Sequence, residues 1–252
     1  MLLDAIITVL RETLEAGVLV SVLAAFGMRL QLSLRWLGLA FGIGLSGALA
    51  YALALRGISE WFNGVGQEAT NAATLYAIYL ALLGVLATAR IAGAPLRVFM
   101  TAAVALAVTR EGAEIMLFFS SYLQSEEAMM RALTSGFVGM MIGFCVGVLS
   151  YYTLAVMLPP VTAHRVQLLV LLLIAAGMAL QGTQLLIQAD WLPAGMPLWD
   201  TSRPLSEHSI SGQMAYAVFG YESTPTAVEM SAYAGALVLL LISQWLSARR
   251  RG

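Results

Sequence analysis

The stretch VLRETLEAG, Val9 to Gly17, places Arg11, Glu12 and Glu15 inside an apolar run that begins at Met1 and continues to about Gly27. Charges in such a run need a reason, and the composition around them narrows it. The chain is 60% hydrophobic and 11% charged over 252 residues, with a mean hydropathy of +0.84, whereas a soluble domain averages about a quarter charged residues. This balance predicts an all-α integral protein of the cell membrane, inner or plasma, with lipid as its main partner. The amino end lacks the basic n-region of a secretory signal and carries charge where the apolar h-region belongs. It is therefore expected to remain as a first helix.

A formal net charge of -1 offers no basic surface for nucleic acid. All 13 basic residues are arginine, and the absence of lysine removes Schiff-base chemistry. With Cys145 alone, no intrachain disulfide, CxxC pair or thiolate metal site can be built. A metal site in this chain must use oxygen or nitrogen.

A helix needs about 20 mostly apolar residues to cross a hydrocarbon core roughly 30 Å thick. Seven runs reach or approach that length: Leu2 to Gly27, Trp36 to Leu55, Asn71 to Ala89, Arg97 to Leu123, Leu133 to Leu158, Val166 to Gln188, and Thr226 (at 226–246) to Leu246. The connections are short except the Pro-, Ser- and Gly-rich segment 189–225. Within it SISGQMAYAVFGY is apolar but too short to span, and predicts a short helix at the membrane surface or dipping into it. One set of alternating connections holds 8 arginines (29, 35, 90, 97, 165, 249, 250, 251) and the other 3 (56, 131, 203). The richer set is expected to be cytoplasmic, with the amino end outside and the carboxyl end inside. Glu60, Glu68, Glu126, Glu127, Asp190, Asp200, Glu207 and Glu222 then all fall outside. They either gather cations by their local potential or reflect ordinary charge sorting.

The opening pattern occurs again in VTREGAEIM, where Arg110, Glu111 and Glu114 repeat the Arg-Glu-x-x-Glu spacing. Gly38, Gly42 and Tyr51 also match Gly139, Gly143 and Tyr152 at one offset of 101. Three spans separate the motif copies, so the halves would have opposite topology. The expected architecture is one transmembrane domain, 1–252, of two inverted three-helix repeats, about 1–90 and 97–188, plus a seventh helix. At 100° per residue the three charged side chains of each copy lie at roughly 0°, 40° and 100°, on one helix face. Insertion costs about 2.5 to 3.5 kcal/mol for each central charge, so these faces must turn to each other or to water. Meeting, they bring four carboxylates and two guanidinium groups, a formal charge of -2. Carboxylate oxygens suit hard cations such as Mg, Ca, Mn or iron, and Arg11 and Arg110 would orient them by charge-assisted hydrogen bonds. A helix clamp would need only one acid and one arginine, and a surplus buried acid costs several kcal/mol without a counter-ion.

At these residues the chain resembles the oxidase-dependent iron permease family, whose hallmark is Arg-Glu-Gly-Leu-Glu, or a close variant, in the first and fourth helices. Here the copies read RETLE and REGAE, with Thr13 in place of Gly, Ala113 in place of Leu, and every charged position intact. FGYESTPTAVE, Phe219 to Glu229, is similar to the segment that leads bacterial members into their last helix. The resemblance implies a seven-helix permease in which Glu12, Glu15, Glu111 and Glu114 carry ferrous or ferric iron through the membrane. Iron would be the transported substrate, with no tightly bound cofactor, and an extracytoplasmic oxidase or metal-delivery protein would be a partner. The oligomeric state stays open.

Other polar residues have two readings each. Glu229 is either an outer ligand for the ion or an acid favoured near a helix N-terminus. Gln181, Gln184 and Gln188 either line the path with amide oxygens or bond neighbouring helices. Glu126 and Glu127, placed at the end of the fourth span, either receive the ion from a partner or are solvated loop acids. His164 and His208 fall in loops on opposite sides, and His208 with Glu207 is a candidate peripheral ligand. The 13 methionines are dispersed and define no copper path. Glycines 38, 42, 44 and 47, and 136, 139, 143 and 147, form candidate helix-packing faces. Alternative functions are a permease for manganese or lead, a membrane-embedded carboxylate-iron oxidoreductase, or a subunit that docks a soluble oxidase. The lack of any histidine within a span weighs against the oxidoreductase, since bundle iron enzymes pair Glu with an in-helix Glu-x-x-His. No Walker pattern provides an ATP site.

Overall fold

In a bilayer each backbone polar group must be satisfied within its own segment, so long runs of Leu, Ala and Val can only be helices. The computed structural model describes residues 2–89, 93–207 and 209–249, and its extended elements are all helical. They are α1 (Leu2–Arg29), α2 (Arg35–Ser59), α3 (Gly66–Thr88), α4 (Ala94–Ser120), α5 (Glu126–Tyr152), α6 (Pro160–Gln188), α7 (Ile210–Phe219) and α8 (Ala227–Arg249). Five of these segments are long and apolar enough to cross a membrane: Arg35–Leu55, Gly66–Thr88, Glu126–Met157, Pro160–Gln188 and Ala227–Ser247. At 28 and 27 residues α1 and α4 are as long, and they are the two that carry the charged motifs. Leu53, Phe144, Leu149 and Leu241 stand exposed on the outside of the bundle. This outside is the apolar surface of a multi-pass membrane protein.

The corner between α5 and α6 follows from two prolines. Pro159 has no N–H to continue a helix and pushes Leu158 to an extended conformation, φ -79° and ψ 140°. The last turn of α5 widens into a π-turn, Thr153–Met157, and Leu158 N–H donates to Thr153 O at 3.1 Å. Pro160 then opens α6, where a missing N–H costs nothing. His164, expected in a loop, is instead in the first turns of α6, stacked on Phe26 with centroids 6.5 Å apart.

The helices pair out of chain order. α1 lies along α5, α2 along α4, and α3 against α6, with α8 packed on α6 and α3. Glycine makes the first contact possible: a side chain at Gly139 would run into the Ile6 carbonyl, and one at Gly143 would sit 2.9 Å from Thr13 Cβ. Ser21 Oγ lies 2.6 Å from the carbonyl oxygens of both Gly17 and Gly147, stitching the same interface. On α2 the glycines that meet α4 are Gly44 and Gly47, against Val108 and Thr109. Gly38 and Gly42 have open space where a side chain would go, because they lie on a different face of α2. The core between these pairs is filled by Leu19, Leu23, Leu75, Leu82, Met100 and Leu171.

Segment 189–225 folds back onto the bundle. Leu198 N–H donates to Pro225 O and Thr201 N–H to Ser223 O, beside one isolated antiparallel bridge, Pro197 with Thr226. Ser209 caps α7 by accepting from Gly212 N at 3.0 Å, and Gly220 ends it in the left-handed region at φ 67°. α7 packs on α1 and α6, and Gly220 sits so close to Gly177 that a Cβ on Gly177 would lie 2.9 Å from its amide nitrogen. Gly177 precedes the Gln188 end of α6 by eleven residues, roughly 16 Å along the helix. The short helix predicted from SISGQMAYAVFGY therefore inserts among the long ones.

Candidate metal site

α1 and α4 turn their charged faces to each other. One carboxylate oxygen from each of Glu12, Glu15 and Glu111 lies within 4.8 Å of the other two, and the residues are 1%, 5% and 3% exposed. Glu114 is outside this trio and its side chain is 24% exposed. Arg110 spans both helices, reaching Glu15 Oε2 at 3.1 Å, Glu114 Oε1 at 3.1 Å, and Glu111. Arg11 donates to Glu12 Oε1 through Nε at 3.0 Å and Nη2 at 2.5 Å, and stands 3.9 Å from Glu15 and 4.0 Å from Glu114.

The arginines thus fix one side of the acids and leave the other free. Glu12 Oε2 and Glu111 Oε2 are buried with no hydrogen-bond partner among the described residues. A buried acceptor left unmatched costs about 1 to 3 kcal/mol, more when charged, so these oxygens are poised for a donor or a cation. Bonds of about 2.0 to 2.6 Å to a hard cation place ligands on opposite sides of it some 4 to 5 Å apart, which matches the 4.8 Å spread. The surplus of two acids over two arginines offsets the charge of a divalent ion. All donors are oxygen, as one cysteine and no in-span histidine cluster required.

Gln181 and Gln184 hold α7 and the chain after it. Gln181 Nε2 donates to Tyr216 O at 3.3 Å; Gln184 accepts from the Tyr216 hydroxyl at 2.9 Å and donates to Glu222 Oε2 at 2.5 Å. Gln188 is exposed. Burial and the adjoining Glu207 carboxyl push Glu222 up to about 7, against the opposing effect of the Gln184 amide. Tyr216 escaped the sequence reading, whose one pointer to it was the short apolar segment itself, and Glu222 figured there only as one of the outer acids. Glu229 is 7% exposed and its Oε2 accepts from Thr226 N at 2.7 Å and Oγ1 at 2.8 Å, while its own N–H donates to Thr226 Oγ1 at 3.4 Å. This reciprocal pair is a capping box at the start of α8. Glu126 and Glu127 are exposed in the first turn of α5 rather than at the end of α4, with Ser125 as cap and Glu127 paired to Arg131. His208, the suggested peripheral ligand, lies outside the described residues.

Residues 93–248 match the Iron permease FTR1 family. The chain is 26% identical over 261 aligned positions to a ferrous iron permease EfeU of Yersinia pestis, covering 95% of this chain and 92% of that one. It is also 26% identical to a ferrous iron permease EfeU of Yersinia pseudotuberculosis serotype I (strain IP32953), covering 95% and 90%. No solved structure matches it. The family match takes in the second motif and more than half of the chain, and the permease relatives align with 95% of it; the protein belongs to the iron permease FTR1 family and is a transporter rather than an enzyme.

Proposed function

We propose that this protein passes iron, as Fe2+ or Fe3+, through a midplane site formed by Glu12, Glu15 and Glu111 with Glu114 beside them, and oriented by Arg11 and Arg110. The observation that carries the reading is the trio of buried carboxylates from two helices within 4.8 Å, two of them with an unpartnered oxygen. The seven long helices, α1 to α6 and α8, are the spans. α1 to α3 and α4 to α6 form inverted repeats: exchanging the halves carries the α1–α5 pair onto α4–α2, and α3–α6 onto itself. The amino end faces outward and the arginine-rich ends of the helices face the cytoplasm. Glu222 and Tyr216 of segment 189–225 meet Gln184 of α6 on the side from which the ion arrives. An oxidase or a metal-delivery protein outside the membrane would hand it over.

The test is uptake of radioactive iron into sealed proteoliposomes, for wild type, Glu12→Gln and Glu111→Gln, under reducing and oxidising conditions. Uptake by wild type and its loss in both variants supports the reading, and the condition that permits uptake identifies the oxidation state. Equal uptake in all three would remove these acids from the mechanism.

A further inference from the structure

α2 and α4 touch where Gly44, Gly47 and Ala48 meet Val108, Thr109 and Gly112. Toward their first residues they part and leave a cleft of about 950 Å³. Leu39 and Ile43 of α2 face Val98, Ala102 and Ala105 of α4 along apolar walls. The first turns are different: Arg35 and Arg97, both exposed, line the cleft there, and no carboxylate lines it. Among the described residues neither arginine forms an ion pair. Both helices also begin without a side-chain cap, at Leu34 and Gly93, so unmatched amide N–H groups and the positive ends of two helix dipoles add to the same end.

A free phosphate would use the arginines and leave the apolar walls unmatched; a neutral lipid tail would do the reverse. A second copy docked about a two-fold axis on this cleft would set its own Arg35 and Arg97 against these. A ligand with an anionic head and a hydrocarbon tail satisfies both parts. We infer that the cleft binds one anionic phospholipid, with its phosphate between Arg35 and Arg97 and an acyl chain between α2 and α4. Basic residues at the end of an intramembrane groove are a recurrent setting for such head groups. The cleft closes at Thr109, the residue before Arg110. The lipid therefore lies against the helix that carries the second motif and holds the first turns of α2 and α4 apart.

Native mass spectrometry of the delipidated, detergent-purified protein, titrated with palmitoyl-oleoyl phosphatidylglycerol or the matching phosphatidylcholine, tests the inference. Wild type is expected to retain one phosphatidylglycerol in preference to phosphatidylcholine. At about 1 kcal/mol for each basic residue near an anionic head group, each Arg→Ala change weakens binding roughly five-fold and the pair roughly 25-fold. Arg35→Lys with Arg97→Lys keeps the charge and most of the preference. Ala102→Trp leaves both arginines in place but fills the cleft, and is expected to abolish retention. Arg165→Ala, outside the cleft, changes nothing. Equal retention of the two lipids, or a double alanine variant that binds as wild type does, overturns the inference. So does displacement of the lipid by millimolar inorganic phosphate, which would identify a free-anion site, or a dimer lost with Ala102→Trp, which would identify an interface between copies.

Discussion

Glu12 and Glu229 are buried almost equally, 1% and 7% exposed, yet they are held in opposite ways. Glu229 has an amide and a hydroxyl of Thr226 on one oxygen and closes the first turn of α8. Glu12 has Arg11 on one oxygen and no hydrogen-bond donor on the other among the described residues, and faces two more carboxylates. Burial alone does not distinguish a structural acid from one available to a cation. What distinguishes them is the second oxygen: that of Glu12 is buried without a donor among the described residues and beside two other carboxylates, whereas Glu229 has no such orphaned oxygen and joins no carboxylate cluster there.

The sharpest way to break this contrast is to neutralise each acid without changing its shape. Glu12→Gln is expected to stop iron uptake, whereas Glu229→Gln leaves it in place; loss of uptake in both would return Glu229 to the ion path. The next largest effect is on stability. Arg110→Met strips the charge partner from Glu15, Glu111 and Glu114, and breaking a buried pair from one side costs about 3 to 5 kcal/mol. Thermal unfolding in detergent should show that loss, and bound metal should recover part of it. Thr226→Ala removes only a cap, worth about 1 kcal/mol, with transport unaffected.

Two smaller effects concern acids nearer the surface. Glu222, pushed up to about 7, keeps a proton in the folded protein at pH values where the unfolded chain has released it. Its contribution to stability is therefore full below the ordinary value of 4.5 and is lost as pH rises through 7. Because the group is half-buried, solvent screening holds the effect below about 1 kcal/mol. Glu222→Gln should flatten that part of the melting-temperature profile, and an unchanged slope would assign it to another group. Glu126→Gln, on an exposed first turn, is expected to shift stability by less than about 0.5 kcal/mol.

The motif helices were legible in the sequence because two physical rules act together there: charge in a bilayer is costly, and residues three and four apart share a helix face. Those rules bring Glu12, Glu15 and Glu111 together without any knowledge of the contacts. Helix pairing was not legible, since α3, α4, α5 and α8 are apolar on nearly every side, and a buried stripe such as Ala132, Gly136, Gly139, Gly143 and Gly147 of α5 does not stand out from the lipid-facing residues beside it. Even the glycine spacing misled on α2, where Gly44 and Gly47 make the contact while Gly38 and Gly42 do not. Hydropathy began the fifth helix at Leu133, yet the Ser125 cap starts it at Glu126. Ser followed by two acids is a start signal that an apolar count overlooks. Tyr216 and Glu222 acquire their partners only when segment 189–225 folds back, and no local pattern encodes that return.

The seat of α7 on Gly177 has a consequence for biogenesis. Ten residues make a helix about 15 Å long, half the thickness of a hydrocarbon core, so the translocation machinery cannot release α7 into lipid as a span. Its burial surface is supplied by α1 and α6, which leave the ribosome earlier, and Gly220 fits only against a backbone already in position. α7 must therefore dock as a late event, after the surrounding helices have been inserted, and until it does the face of α1 that it covers is open.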